Sequence, residues 1–144
     1  MAPTPSDAAP ATLHTVFTSE CHNPQFDWFA TGVYRSHRES GIRGRITRLL
    51  ACSEAEQAKY PKANLEIGPT FIHRNMRDDP LVDEKGYPSY NKPYSVMAWL
   101  AATKINEDYV LMLDADMVMR QPIEPTSLGA RRGNVVSAEY TYLY

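Results

Sequence analysis

The strongest constraint on the fold is the apolar run YVLML at residues 109–113, which is followed by two aspartates, Asp114 and Asp116. Five consecutive apolar or aromatic residues are typical of a strand that is buried on both faces, as strands of parallel sheets are. Isolated carboxylates are costly to bury, so the two aspartates must be solvated, paired or bound to a cation. The run therefore predicts a buried strand with two acidic side chains at its end.

Segments with strand-like and helix-like periodicity alternate along the rest of the chain. Residues 25–40 carry apolar side chains at three- and four-residue steps, which predicts a helix that ends at Gly41. The segment SEAE at residues 53–56 matches a capping box and predicts a short helix, and another helix begins close to Pro93. Further strands are predicted at residues 13–20, 44–53, 65–72 and 134–140. This order predicts an α/β fold with a mostly parallel sheet and flanking helices.

Ligands of such sheets bind beyond the carboxyl ends of the strands. Asp114 and Asp116 lie at one such end, and the segment TSE at residues 18–20 lies at the end of the first predicted strand. Residues 73–90 form a long polar stretch without clear periodicity, which is typical of a functional or mobile loop. We expect Trp28 and Trp99 to belong to the helix cores.

Two aspartates one residue apart can point to the same side of an extended or turn backbone. Both carboxylates can then hold one Mg²⁺ or Mn²⁺ ion, which would neutralise a diphosphate leaving group in a nucleotide-sugar-dependent glycosyltransferase. Two alternatives remain open: an Asp-rich turn in which each side chain caps local N–H groups, and a haloacid-dehalogenase-like phosphatase. The segment from Asp114 to Val118 matches the D-x-D-x-[TV] motif of these phosphatases, in which Asp114 would be the nucleophile. At least two strand–helix units precede it, however, whereas the phosphatase motif ends the first strand of its domain.

The bulk composition narrows the class of protein further. The chain has 144 residues and a formal net charge of -2, which favours one domain and argues against a general nucleic-acid partner. No apolar stretch approaches the length of a membrane span. We expect residues 1–12 to be a disordered leader and residues 13–144 to be an incomplete, N-terminal part of a domain. Cys21 and Cys52 are most simply two free thiols, although a disulfide is possible if the preceding strands are neighbours.

Several short segments, taken in order, carry a family resemblance. They are HTVFTSEC near the start, FDW at 26–28, ITRLLAC at 46–52, YNKP at 90–93, the Trp99-Leu100 pair, VLMLDADM at 110–117 and LGARRG at 128–133. In this order the chain resembles the peptidyl serine α-galactosyltransferases of plants and algae and, more distantly, the hydroxyproline O-arabinosyltransferases. The acidic motif is often altered in the latter, so the DAD sequence favours the galactosyltransferase branch.

The resemblance implies a GT-A-like, Rossmann-like fold that binds UDP-galactose with Mn²⁺ (or Mg²⁺) and transfers galactose, with retention, to serine in hydroxyproline-rich cell-wall glycoproteins. It also implies a Golgi or endoplasmic reticulum location, with membrane association only through segments outside this chain. A third metal ligand and most of the acceptor site would come from a C-terminal half. A fragment of this kind could therefore also be an inactive binding module.

The resemblance also assigns roles to individual residues. Asp116 is the better candidate for direct metal contact, and Asp114 would lie nearer the ribose or sugar. Lys92 would contact the diphosphate or sugar, or would simply be a solvated lysine at a helix start. Arg48 would contact a phosphate or form a surface ion pair. Thr18, Ser19 and Glu20 would lie under the uracil and ribose, or would be a simple strand end; no catalytic residue is assigned.

Overall fold

The computed structural model describes residues 11–83 and 86–138. In chain order, the elements are β1 (Leu13–Glu20), α1 (Gln25–Ser40), β2 (Ile46–Cys52), α2 (Glu54–Lys59), α3 (Lys62–Leu65), β3 (Thr70–Arg74), a 3₁₀ helix (Pro88–Tyr90), α4 (Asn91–Ala102), β4 (Tyr109–Leu113) and a second 3₁₀ helix (Pro125–Leu128). The predicted alternation of strands and helices is confirmed. The predicted burial of β4 on both faces is wrong, since Val110 and Met112 are 41% and 40% exposed.

The four strands form one sheet in the order β3-β2-β1-β4, and all neighbouring pairs are parallel. The chain first builds outward from β1 through β2 to β3, and then returns to add β4 on the other side of β1. The direction of strand addition therefore reverses between β1 and β4. In open α/β sheets a crevice forms outside the carboxyl ends of the strands at such a reversal.

Helices cover both faces of the sheet, which is why β1 is buried almost throughout. On one face, α1 packs through Ala30 and Val33 against Phe17 of β1. On the other face, Trp99 of α4 packs against Val16 and Leu49. Successive residues of a strand point to opposite faces, so the neighbouring residues Val16 and Phe17 serve the two separate cores.

The expectation for the tryptophans is half confirmed. Trp99 is buried, but Trp28 is 80% exposed, so its predicted place in the helix core is wrong. Phe26 and Phe29 of the same helix pack against the core. Since residues advance by about 100° around a helix, Trp28 lies on the side away from both.

Local signals place the helix ends where they were predicted. Ser53 and Glu56 form the complete capping box that begins α2, and Gly41 ends α1 in the left-handed conformation. Gly44 has a φ of +114°, and a Cβ there would lie 2.0 Å from the carbonyl oxygen of Leu13. Only glycine permits this close approach of the loop to the start of β1.

Cys21 and Cys52 form a disulfide bond, so the expectation of two free thiols is wrong. Cys21 directly follows β1, and Cys52 is the last residue of β2. These two strands are neighbours in the sheet. Their Cα atoms are 5.2 Å apart, within the usual span of a disulfide. The bond ties together the carboxyl ends of the first two strands.

The predicted strand at residues 134–140 is also wrong where it can be examined. Residues 134–138 form no strand, and Val135 is exposed, with only an isolated bridge between Arg131 and Asn134 beside it. Residues 139–140 and the first ten residues of the predicted leader lie outside the described residues. Among the helices that the structure describes, none has the length and apolar character needed to cross a membrane.

Candidate functional site

A cavity of about 300 Å³ lies at the carboxyl edge of the sheet, where β1 and β4 end side by side. Residues from both strand ends, from α1 and from the start of α4 surround it. They are Thr18, Ser19, Glu20, Phe26, Phe29, Pro88, Ser89, Asn91, Lys92, Asp114, Ala115 and Asp116. The structure thus brings together all of the predicted site residues except Arg48.

Asp114 and Asp116 enter the cavity from a turn that follows β4. The backbone N–H of Met117 donates to the carbonyl of Asp114, which closes the turn. Ala115, between the two aspartates, is buried in the core beneath α1. This buried residue anchors the turn, while both flanking carboxylates remain accessible to a ligand.

The two aspartates differ in their partners. The Nζ atom of Lys92, in the first turn of α4, forms an ion pair with Asp114, and both side chains are partly exposed. In the part of the chain that the structure describes, the carboxylate of Asp116 takes part in no hydrogen bond or ion pair. Lys92 therefore supplies a positive charge to one side of the cavity. The carboxylate of Asp116 has no partner among the described residues and is available to bind a cation.

Ser19 contributes a buried hydroxyl to the cavity. The residue is 2% exposed, and within the described residues its Oγ has no hydrogen-bond partner. Buried polar atoms are almost always paired, so an orphan hydroxyl at a cavity wall needs an explanation. A polar atom of a bound ligand would satisfy it.

Glu20 is also buried, and its carboxylate is held in place by two neighbours. Its carboxylate forms an ion pair with Arg77, and Nδ1 of His22 lies 3.0 Å from its Oε2. Arg77 comes from the long polar segment at residues 73–90, and the sequence offered no specific signal for this role. The pair fastens that segment to the end of β1 beside the cavity.

Asn91, which was not predicted, makes the second connection to this segment. Its Oδ1 accepts a hydrogen bond from the backbone N–H of Met76 at 2.7 Å, and its Nδ2 donates to Asn75 at 3.0 Å. Asn91 is itself buried at the start of α4. These bonds hold the segment against α4 and position Pro88 and Ser89 at the cavity.

Arg48 lies outside the cavity, so we do not propose that it contacts a phosphate of a ligand bound there. Its side chain is 0% exposed, and Nη1 forms an ion pair with Asp27 of α1 at 2.9 Å. The guanidinium also donates to Thr70, to the hydroxyl of Tyr60 and to the carbonyl of Asn64. With its donors used inside the protein, Arg48 joins α1 to the α2–α3 segment and β3.

The described residues contain no cluster of three or more His, Cys, Asp or Glu side chains that could hold a metal ion. Asp114 and Asp116 can offer carboxylate oxygens from one side only. Mg²⁺ and Mn²⁺ often bind through one or two carboxylates while phosphate oxygens and water complete their coordination. The pair therefore fits a cation that arrives with a phosphorylated ligand.

Comparison with known sequences identifies the family. Residues 14–144 match the hydroxyproline O-arabinosyltransferase family N-terminal domain. The chain belongs to this family. Within it, the chain is 44% identical over 131 residues to a peptidyl serine alpha-galactosyltransferase of Arabidopsis thaliana and 34% identical to one of Chlamydomonas reinhardtii. A hydroxyproline O-arabinosyltransferase 2 of Arabidopsis thaliana is 30% identical over 142 residues.

The matches cover 91% of this chain for the two galactosyltransferases and 94% for the arabinosyltransferase. They confirm the resemblance drawn from the sequence. The aligned part of the chain spans only 16% and 17% of the length of the two galactosyltransferases and 35% of the arabinosyltransferase. No solved structure matches the chain, and the GT-A-like assignment of its parallel sheet stays a prediction.

Proposed function

We propose that this chain is the nucleotide-sugar-binding part of a metal-dependent glycosyltransferase that transfers galactose from UDP-galactose to serine in hydroxyproline-rich glycoproteins. The observation that carries the proposal is the position of Asp114 and Asp116. Both line a cavity at the strand-order reversal of a parallel sheet, opposite the end of β1. Nucleotides bind at this place in many open α/β sheets. In this proposal the sheet is the donor half of a GT-A-like domain.

The cation, Mn²⁺ or Mg²⁺, would be held by Asp116 and, after release from Lys92, by Asp114. Two accessible carboxylates beside an open cavity suit an ion that shares its coordination with a diphosphate. When bound, such an ion supplies positive charge that stabilises the leaving diphosphate. Lys92 adds a second positive charge beside the cavity, so it can pair with a phosphate oxygen once the nucleotide is present.

The end of β1 would hold the nucleoside. Ser19 presents a buried hydroxyl without a partner among the described residues, which fits a hydrogen bond to a ribose or base atom. Thr18 lines the same wall. Glu20 is held by Arg77, so it would act as a fixed acceptor for a ligand hydroxyl rather than as a mobile base.

The names of the relatives support the donor and the acceptor. The two proteins that are 44% and 34% identical to this chain are called peptidyl serine alpha-galactosyltransferases. The family description favours a second candidate, transfer of arabinose to hydroxyproline. Lower identity to the named arabinosyltransferase, 30%, makes that activity the weaker candidate. The phosphatase alternative gains no support from these relatives.

We also propose that the protein works in the Golgi or endoplasmic reticulum lumen. The Cys21–Cys52 disulfide supports this location, since such bonds persist mainly in oxidising compartments.

The proposal is tested by calorimetric titration of UDP into the chain, with and without Mn²⁺. We expect binding that requires Mn²⁺ and that weakens by about tenfold or more in Asp116→Asn, because each charge-assisted contact contributes about 1.5–3 kcal/mol. Asp114→Asn should weaken binding as well. Asp78→Asn is the matched control, since Asp78 is exposed and lies outside the cavity.

Two outcomes of this titration would contradict the proposal. One is UDP binding that is indifferent to Mn²⁺ and to both aspartates. The other is the absence of UDP binding by a chain whose circular dichroism and cooperative unfolding show that it is folded. If UDP binds as expected, competition by UDP-galactose and by UDP-arabinose then ranks the two candidate donors.

A further inference from the structure

Two exposed tyrosines flank the part of the chain that forms one wall of the cavity. The segment Tyr87-Pro88-Ser89-Tyr90 precedes α4, and its two middle residues line the cavity. The rings of Tyr87 and Tyr90 lie 5.3 Å apart, centroid to centroid, in an edge-to-face arrangement. These rings, called here the tyrosine pair, therefore belong to the short segment whose middle residues line the cavity with Asp114 and Asp116.

The tyrosine pair is accessible and its polar groups are free. Tyr87 is 46% exposed and Tyr90 is 37% exposed. Neither phenol hydroxyl forms a hydrogen bond within the described residues. Aromatic side chains are enriched where proteins bind partners, so two adjacent exposed rings mark a candidate binding surface.

The backbone beneath the tyrosine pair is held in place. The N–H of Asn91 closes the 3₁₀ helix by donating to the carbonyls of Pro88 and Ser89. The Asn91 side chain in turn bonds Asn75 and the backbone of Met76. A binding surface that is already ordered pays little additional conformational entropy when a ligand docks.

We propose that the tyrosine pair binds the acceptor polypeptide, specifically a hydroxyproline-containing segment in the polyproline II conformation. Such a segment is extended, has three residues per turn and lacks internal backbone hydrogen bonds. Aromatic grooves recognise it by packing rings against the prolyl faces, while ring hydroxyls bond the exposed carbonyls. The names of the relatives, which refer to peptidyl serine and to hydroxyproline, supply this chemistry.

The inference rests on the proposed function and extends it to the acceptor. Because Pro88 and Ser89 line the cavity, a peptide on the flanking rings would pass beside the proposed donor site. The tyrosine pair would therefore help to present an acceptor serine to the sugar. This role places one acceptor contact in this part of the protein, where the sequence had predicted only the donor site.

The test is fluorescence anisotropy with a labelled peptide that contains one serine among hydroxyprolines, beside the same peptide with every hydroxyproline replaced by alanine. The double variant Tyr87→Ala/Tyr90→Ala should bind the first peptide about tenfold more weakly or worse, as expected for central aromatic contacts. Tyr87→Phe/Tyr90→Phe keeps the rings but removes both hydroxyls, so it should weaken binding less than the double alanine variant does. Leu81→Ala removes an exposed apolar side chain of the same polar segment and should leave affinity unchanged.

UDP titration of the same variants separates this inference from the proposed function. The expected result is that the double alanine variant loses peptide affinity but binds UDP with Mn²⁺ as the parent chain does. Equal peptide affinity of the parent and the double alanine variant overturns the inference. The inference is also overturned if a parent chain that binds UDP shows no detectable peptide binding. The same holds if the parent chain binds the alanine peptide and the hydroxyproline peptide with equal affinity. If the parent chain binds the peptide but not UDP, the role of the tyrosine pair is supported and the proposed donor site is contradicted.

Discussion

Arg48 shows at the scale of a single residue how a charge can be structural. Its guanidinium reaches α1 through Asp27, and it reaches the segment after α2 through Tyr60 and Asn64. Burial of an unpaired charge is very costly, so all of these partners are needed together. The sequence segment ITRLL could not reveal this, because Asp27 lies 21 residues away and its proximity depends on the packing of α1.

We predict that Arg48→Met lowers the free energy of unfolding by about 3–5 kcal/mol, because it removes the positive partner of Asp27, a largely buried carboxylate that, among the described residues, keeps only its hydrogen bonds from Tyr60 and Asn64. Arg35→Met is the matched control. It removes an exposed ion pair with Glu39 and should cost less than about 0.5 kcal/mol. Urea unfolding of both variants measures the difference, and equal costs would mean that the Arg48 network is not formed.

Residues that line the cavity were predictable from the sequence where they follow a strong local pattern. Asp114, Asp116 and the residues at the end of β1 were found because parallel strands carry ligand sites at their carboxyl ends. Arg77 and Asn91 were missed, since each acts through a partner that is distant in the chain. Their roles depend on how an irregular segment folds back over the sheet, for which periodicity gives no signal.

At the scale of secondary structure, the close contact between Gly44 and Leu13 sets the path of the loop that connects α1 to β2. The N–H of Leu13 donates to Arg43, and that of Thr15 donates to Arg45, so the loop runs alongside the beginning of β1. A side chain at position 44 would collide with backbone rather than with a movable side chain. The start of β2 must therefore shift if this glycine is replaced.

We predict that Gly44→Ala destabilises the protein by about 2 kcal/mol or more, through the clash and the positive φ. Gly32→Ala provides the opposite case. It lies within α1 with no atom within 4 Å of the added Cβ, so we expect a gain of up to about 1 kcal/mol. Thermal unfolding of the two variants should give melting temperatures on opposite sides of the parent value. Shifts in the same direction would contradict this account.

The type of element was predicted correctly where the local pattern is strong, even where, as in β4, the predicted burial was not. The period of α1, the capping box of α2 and the apolar run of β4 each gave the correct element. The segment at residues 134–138 failed because a strand needs a hydrogen-bonding partner as well as β-branched residues. Within the described residues the segment has no partner strand.

At the scale of the whole molecule, several buried histidines make stability sensitive to acid. Burial lowers the pKa of His14, His37 and His73, although Glu107 partly offsets this effect at His14. A group whose folded-state pKa is lowered adds stability above its unfolded pKa, and that stability is lost as the pH falls through the folded-state pKa. The relevant window lies below the ordinary histidine pKa of 6.5.

We predict that the free energy of unfolding falls between pH 7 and pH 5, and that His37→Leu reduces this loss. His37 is suited to the test because its Nε2 has no hydrogen-bond partner within the described residues, so leucine leaves no donor or acceptor unpaired. Urea unfolding at the two pH values provides the measurement. A parent chain that is equally stable at pH 5 and pH 7 would contradict the prediction.

The sequence predicted a mostly parallel sheet, but it could not predict the order of the strands in that sheet. Apolar runs and helical periods identify β-α-β units, but they do not say on which side of β1 the last strand is added. That choice creates the crevice between β1 and β4. The pairing of β1 with β2 is a separate feature of the strand order, and it is the condition under which the sequence had allowed a disulfide.

The disulfide joins the residue after β1 to the last residue of β2, so it closes a single β-α-β unit, and the cysteines are 31 residues apart. The direct pairing of β1 with β2, which brings the two cysteines side by side, lies within residues 13–52. A growing chain is synthesised from its N-terminus, so this cross-link can form before α4, β4 or either aspartate has been made. The end of β1, with Ser19 and Glu20, is then the first wall of the cavity to be fixed during biosynthesis, and later segments assemble against it.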